Sequence, residues 1–310
     1  MPSMRSRFVR HVLVVLVPVV AVMAALPAVY TNHLLLFNFV VFMTLAQGIN
    51  VMYGFTGYLP FGYVGFFGAG AYGFSVAVIH LHAPPLAALA AGGFAAVGLG
   101  LLLTPLFRLS GAYFSIANLA AALALLQVVS NPSLEQLTGG PYGVTLSGVF
   151  RPTLAYGVAV GILAATLLLV IYLRNSRFGM ALQAIREDAI SAAMAGIDVV
   201  RARVVAWILT ALVAGLTGAV FAWYVSVFYP ETVFSGSFTI FAIVFALFGG
   251  TATVLGPILG VAILYGIYNA IGISTPQYFQ LIYGLLIMAV VLFLPSGLAS
   301  LLRRRGIDVP

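Results

Sequence analysis

Residues 174–203 read RNSRFGMALQAIREDAISAAMAGIDVVRAR, the one long polar interruption in an otherwise apolar chain. The stretch holds five of the thirteen arginines and three of the six acidic residues. Within it Phe178, Leu182, Ile185, Ala189, Ile190, Ala193, Met194 and Ile197 recur at helical spacing, while Gln183, Glu187, Asp188 and Ser191 fall largely on other faces. The pattern predicts one amphipathic helix outside the bilayer, stopped at Gly196, with Asp198 capping the helix that follows. Two uses fit such a helix. It can rest on lipid headgroups, or it can dock a soluble partner.

The surroundings of this stretch are membrane. Of 310 residues 63% are hydrophobic and 6% charged, with a mean hydropathy of +1.16, where a soluble domain carries about 25% charge. The fold expected is an all-α, polytopic transmembrane helical bundle, a single domain over 1–310 with 174–203 as a loop inside it. The net charge of +7 does not point to nucleic acid, because all thirteen basic residues are arginine and almost all stand at the ends of apolar runs. No cysteine is present, so neither a disulfide framework nor a thiolate metal site is available. Arg5, Arg7 and Arg10 precede an apolar run from Val12 to Tyr30 that exceeds a signal-peptide core and reads as a retained first span.

At about 20 apolar residues per span the chain holds about ten spans. They fall near 12–30, 34–53, 62–80, 85–107, 112–130, 153–173, 204–226, 237–249, 255–272 and 279–294, the eighth short enough to be broken or re-entrant. With the N-terminus in the cytoplasm, twelve of the thirteen arginines face the cytoplasm and only Arg151 lies outside. The positive-inside rule therefore selects this orientation, with both termini and the 174–203 loop cytoplasmic.

No Asp, Glu, Lys or Arg falls in the middle of a span, which argues against proton-coupled transport. Thr44, Gln47, Asn50 and Gly54 share one helical face, and such amide and small residues act more often as helix-packing glue than as a pathway lining. Glycine gathers in two runs, Gly54 to Gly73 around Pro60, and Gly249 to Gly260 around Pro257. The first predicts a kinked or unwound segment followed by a close helix crossing, and both are equally readable as plain close-packed crossings.

Enzyme chemistry is missing: no Walker A pattern, no metal-spaced His or Cys cluster, and no Ser and His pair with an acid in reach. Glu187 and Asp188, adjacent on a helix, point about 100° apart and make no acid and base pair by spacing.

Four stretches in order carry a family resemblance: GFTGYLPFGYVGFFGAGAY; GAYFSIANLA followed by LTGGPYG; SRFGMALQAIREDAISAAMAGID; and GGTATVLGPILG. By these the chain resembles the permease subunits of branched-chain amino acid ABC importers, of the M type. The resemblance implies a non-enzymatic subunit of the bacterial or archaeal cytoplasmic membrane. Such a subunit works with a second permease subunit, two cytoplasmic ABC ATPase subunits that would hold ATP and Mg²⁺, and an extracytoplasmic substrate-binding protein. It would move branched-chain amino acids or a related small polar solute, with no cofactor or metal in this chain. Arg186, Glu187, Asp188, Ser191 and Gly196 are then the candidates for coupling to the ATPase. Gln47, Asn50, Tyr53, Gly54, Gly57 and Asn118 are the candidates for the translocation pathway. The chain departs from the family's usual pattern at Pro60 (serine), Tyr63 (His or Gln), Ser110 (arginine), Asn118 (threonine) and Ala252 (glycine). The alternative reading is a stand-alone secondary transporter or facilitator with its site at the glycine-rich breaks.

Overall fold

The computed structural model describes residues 8–9, 11–274, 281, 284–285, 288 and 297–298. Its helices run α1 (Val12–Ala28), α2 (His33–Gly54), α3 (Tyr63–His80), α4 (Pro85–Leu102), α5 (Ala112–Val129), α6 (Pro152–Arg174), α7 (Arg177–Glu187), α8 (Ala189–Met194), α9 (Val199–Val225), α10 (Gly236–Gly249) and α11 (Leu255–Ser274), with a few shorter helical turns between them. Among the described residues seven helices are long and apolar enough to cross a membrane, α10 counting with the turn from Pro230, and α1 and α11 are shorter apolar helices. Of the expected span at 279–294 only residues 281, 284–285 and 288 are described.

Small residues set the packing. A β-carbon on Gly218 would fall 1.9 Å from the Phe67 carbonyl oxygen, one on Gly70 2.0 Å from that of Gly215, and one on Gly92 2.6 Å from that of Gly70. Backbones of α3, α4 and α9 therefore touch, which suits a medium where apolar side chains gain nothing by leaving lipid and contact area must come from close approach. Around this junction aromatic rings fill the core: Phe37 stacks on Tyr224 with centroids 3.7 Å apart, and Phe67 lies 4.7 Å from Phe238. Four buried hydroxyls are satisfied inside their own helices, Thr44 on the Val40 carbonyl, Ser75 on Ala71, Thr166 on Ile162 and Thr217 on Val213. On α4 and α5 the outward faces carry Phe94, Leu101 and Leu102, and Ile116, Leu123 and Val128, an apolar surface suited to hydrocarbon.

Both glycine runs break the chain into a turn between two helices. In the first, α2 ends in a π-helical turn at Asn50–Gly54, Gly57 takes φ +78° with its N–H on the Tyr53 carbonyl, and the chain stays non-helical until α3 starts at Tyr63. In the second, α10 ends at Gly249, Gly250 and Ala252 take φ +108° and +60°, and α11 leaves against α10 with Gly260 on the Phe245 carbonyl. The second is a tight helical hairpin, α10 packed on α11, whereas in the first α3 leaves α2 and turns its glycines to other elements, Gly65 to Ala122 of α5, Gly70 to Gly215 of α9 and Gly73 to Ala91 and Ala95 of α4. The segment at 237–249 is a continuous helix rather than a broken one.

The opposite end of the bundle is tied differently. Strand β1 (Val144–Thr145) pairs antiparallel with β2 (Val227–Phe228), the Trp223 indole N–H donates to the Val149 carbonyl at 2.8 Å, and the Tyr156 hydroxyl to that of Met23 at 2.6 Å. Arg151 lies at this end. Arg174, Arg186 and Arg203 reach the two glycine turns at the other.

Candidate functional site at the arginine-rich end

The 174–203 loop begins where α6 stops. Ser176 caps α7, accepting the Gly179 N–H at 3.0 Å, and a β-carbon on Gly179 would fall 1.7 Å from the Leu173 carbonyl, so α7 folds back directly onto the end of α6. Leu182 and Ile185 are buried, which fixes the inner face of α7 as the sequence periodicity requires.

The single helix expected through Gly196 is instead two. Asp188 adopts an extended conformation, φ −154° and ψ 110°, and its carboxylate accepts the Ile190 N–H at 2.9 Å and the Ser191 hydroxyl. Aspartate competes for backbone N–H groups in a helix interior but is a preferred N-cap, so it ends α7 and starts α8. The hydroxyl of Ser191 first, and then the Ile190 amide, hold its carboxyl below the ordinary carboxylate range. A consequence is that Ile190 and Met194 leave the face shared by Leu182 and Ile185. They stand 73% and 81% exposed, an apolar pair one turn apart at the tip of the loop.

The stop at Gly196 is as the sequence implied. Gly196 has φ +86°, its N–H bonds to Ala193 and that of Ile197 to Ala192, the paired bonds of a Schellman ending. Asp198 then caps α9 through the Arg201 N–H, and its ion pair with the Arg201 side chain, 3.0 Å but exposed, adds little.

Arg186 turns inward. Its guanidinium donates to the Gly54 carbonyl at the end of α2, sits 5.9 Å from the centre of the Tyr53 ring, and its Cγ lies 3.4 Å from where a β-carbon of Gly57 would be. A cation there meets the negative end of α2. Residues named as coupling candidates and as pathway candidates are thus in direct contact, although 132 positions separate Arg186 from Gly54. Arg203 packs over the Tyr58 ring at 4.5 Å, and Arg174 donates to the Ala252 carbonyl at 3.3 Å.

Gln47 and Asn50 are fully buried and hold the second hairpin. Gln47 donates to the Val254 carbonyl at 2.6 Å; Asn50 donates to that of Thr253 at 2.8 Å and accepts the Ala252 N–H at 2.7 Å. Asn118 stands apart on α5, where its oxygen accepts the Gly62 N–H at 2.7 Å and its side-chain nitrogen is buried without a partner. Glu187 is exposed and borders a polar cavity of about 330 Å³ shared with Arg174, Gln183, Arg186 and Ala252. Sequence reading missed Arg174, Arg203 and Tyr58 as site residues, and the link between Asn50 and Ala252. Nothing in local spacing signals contacts made across 202 positions.

The sequence profile of the branched-chain amino acid transport system permease component matches residues 33–291. The chain belongs to that family. Among its relatives are the proteins named high-affinity branched-chain amino acid transport system permease protein LivM of Escherichia coli (strain K12) and of Salmonella typhimurium (strain LT2). Each is 26% identical over 295 residues, covering 85% of this chain and 68% of the relative. No solved structure matches the chain. As a permease component with several membrane-crossing helices, it is a multi-pass membrane protein and a transport component rather than an enzyme. The permease's departures from the usual family pattern have structural consequences: Ala252 occupies the left-handed conformation that glycine takes without cost, and the buried Tyr63 hydroxyl, like the Asn118 nitrogen, has no partner.

Proposed function

We propose that this permease is one membrane half of an ATP-driven ABC importer in a bacterial or archaeal cytoplasmic membrane. It would translocate branched-chain amino acids, or a related small polar solute, delivered by an extracytoplasmic binding protein. The substrate class follows the names of the relatives. A second permease subunit would complete the pathway, and two cytoplasmic ATPase subunits would supply ATP, Mg²⁺ and the work. The observation that carries the reading is the loop tip, where α8 is capped at both ends and leaves Ile190 and Met194 exposed. An exposed apolar pair on a rigid short helix is suited to a groove on a soluble partner. Glu187, Asp188, Ser191 and Gly196 then shape and rim the contact. Tyr53, Gly54 and Gly57 are proposed to border the cytoplasmic mouth of the pathway, with Gln47, Asn50 and Asn118 supporting its wall from behind.

The test is reconstitution with the companion subunits in liposomes. Uptake of leucine, isoleucine or valine is expected only with ATP on the loop side, and the ATPase subunits are expected to co-purify in mild detergent. Uptake by this chain alone, driven by a sodium gradient without ATP, would establish a secondary transporter instead. Within the assembly, Glu187→Arg is expected to abolish uptake while leaving membrane insertion intact. Normal uptake in that variant would return the loop to resting on lipid.

A further inference from the structure

Loop helix α7 packs on α6 and α9, but motion at α7 and α8 can reach the two glycine turns through few contacts. Between α7 and the α10 to α11 turn the packing is open, because the cavity of about 330 Å³ bounded by Arg174, Gln183, Arg186, Glu187 and Ala252 lies there. What crosses the gap is polar and specific. Arg186, on α7, holds the last carbonyl of α2. Arg174, at the end of α6 where α7 folds back, holds the Ala252 carbonyl at 3.3 Å. The same Ala252 gives its N–H to Asn50 of α2 at 2.7 Å, while Asn50 and Gln47 bind the next two carbonyls, Thr253 and Val254.

We propose that Arg186 and Arg174 are the positioning residues through which the 174–203 loop moves both glycine turns as one body. Gln47 and Asn50 lock those turns to each other from inside. The inference rests on the ATP-driven reading and adds to it a route within this chain. Arg186 thereby serves the inner side of the loop, leaving contact with a soluble partner to α8. The geometry favours a clamp over a hinge on three grounds. The Gly54 carbonyl stands at the end of α2 and the Ala252 carbonyl in the turn between α10 and α11, so neither is taken by a helical hydrogen bond. The Gln47 and Asn50 amides are 0% exposed, so water does not compete for their bonds. Finally, a guanidinium bonding a carbonyl at a helix C-terminus is a charge-assisted bond aligned with the helix dipole. A contiguous network of this kind transmits displacement only if its members switch together between two arrangements, so breaking one link should uncouple without unfolding.

The experiment uses the complete reconstituted assembly and reads the number of solute molecules moved per ATP hydrolysed. Arg186→Met is expected to lower that ratio roughly tenfold, within the span of ordinary coupling free energies. Arg186→Lys, which keeps a donor and the charge, is expected to recover part of it, and Arg174→Met to act in the same direction. A ratio equal to the parent's in both methionine variants overturns the proposal. So does a lysine variant no better than methionine. A second readout needs no ATP. The chain has no native cysteine, so Glu187→Cys with Ala252→Cys, both bordering the cavity, reports whether loop and hairpin stay together. Cross-linking is expected in the parent background and to fall several-fold with both arginines replaced, and unchanged cross-linking also overturns the clamp. If the parent assembly shows no ATP-driven uptake yet the cross-link responds to the arginines, the functional reading falls and the clamp stands.

Discussion

Asp188 ends α7 with its backbone and starts α8 with its side chain, and the two roles can be separated by substitution. The capping role needs a short side chain with an acceptor oxygen, which Asn supplies almost as well as Asp, whereas Ala supplies none. Asp188→Asn is therefore expected to keep α8 folded and Asp188→Ala to let it fray. Hydrogen–deuterium exchange over residues 189–195 should separate them, slow in the first and fast in the second. The charge adds a sign that can be checked. Because the folded-state carboxyl is held below its ordinary value by the Ser191 hydroxyl and the Ile190 amide, its contribution is complete above the unfolded-state value of about 3.9 and is lost only as pH falls through the lower folded value. Protection of α8 should thus be flat between about pH 5 and 8 and decline only in stronger acid, and the decline should be absent in Asp188→Asn. The same residue shows where sequence reading fell short. Its neighbours Ile190 and Met194 continue the apolar period of Leu182 and Ile185, and periodicity cannot see a cap that interrupts the helix without interrupting the pattern.

At the scale of elements, the glycines of α3, α4 and α9 decide how close the helices come, and they divide into two classes that are opposite in consequence. Gly218 has no room, with the Phe67 carbonyl 1.9 Å from an added β-carbon, while Gly98 on α4 has nothing within 4 Å. Gly218→Ala is expected to cost about 1–3 kcal/mol or more through displaced backbone. Gly98→Ala is expected to gain about 0.5–1 kcal/mol from helix propensity alone. Thermal denaturation of the detergent-extracted protein tests the pair, and equal shifts for the two would contradict the packing. Several helix boundaries were legible because the apolar runs there are delimited by Pro or Arg: Pro85, Pro152 and Arg174 fall at the ends of observed helices. That the second glycine run is a hairpin pinned from α2 was not legible. Gln47 and Asn50 read equally well as glue or as lining until the residues they bind, more than 200 positions away, are in place.

For the whole molecule the main open quantity is direction, and it rests on a charge asymmetry rather than on packing. Among the described residues Arg174, Arg186 and Arg203 engage one end of the bundle, while Arg151 precedes α6 at the end where β1 pairs with β2. Arginine near short loops is retained on the cytoplasmic side during insertion, so we propose that the bundle is oriented with α7 and α8 inside the cell. The same orientation is required of a loop that meets a soluble ATPase, which makes a direct measurement informative for both. Since the chain has no cysteine, single substitutions give a clean reporter. Ile190→Cys places a thiol at the exposed loop tip, 73% accessible in the parent residue. Gly148→Cys places one in the connection beyond β1, where an added side chain meets nothing within 4 Å. A membrane-impermeant maleimide should label residue 148 in intact cells and residue 190 only in inverted vesicles. The reverse pattern would put the arginine-rich end outside. It would remove the loop from any cytoplasmic ATPase and leave the glycine turns as the outer mouth of a transporter driven by other means.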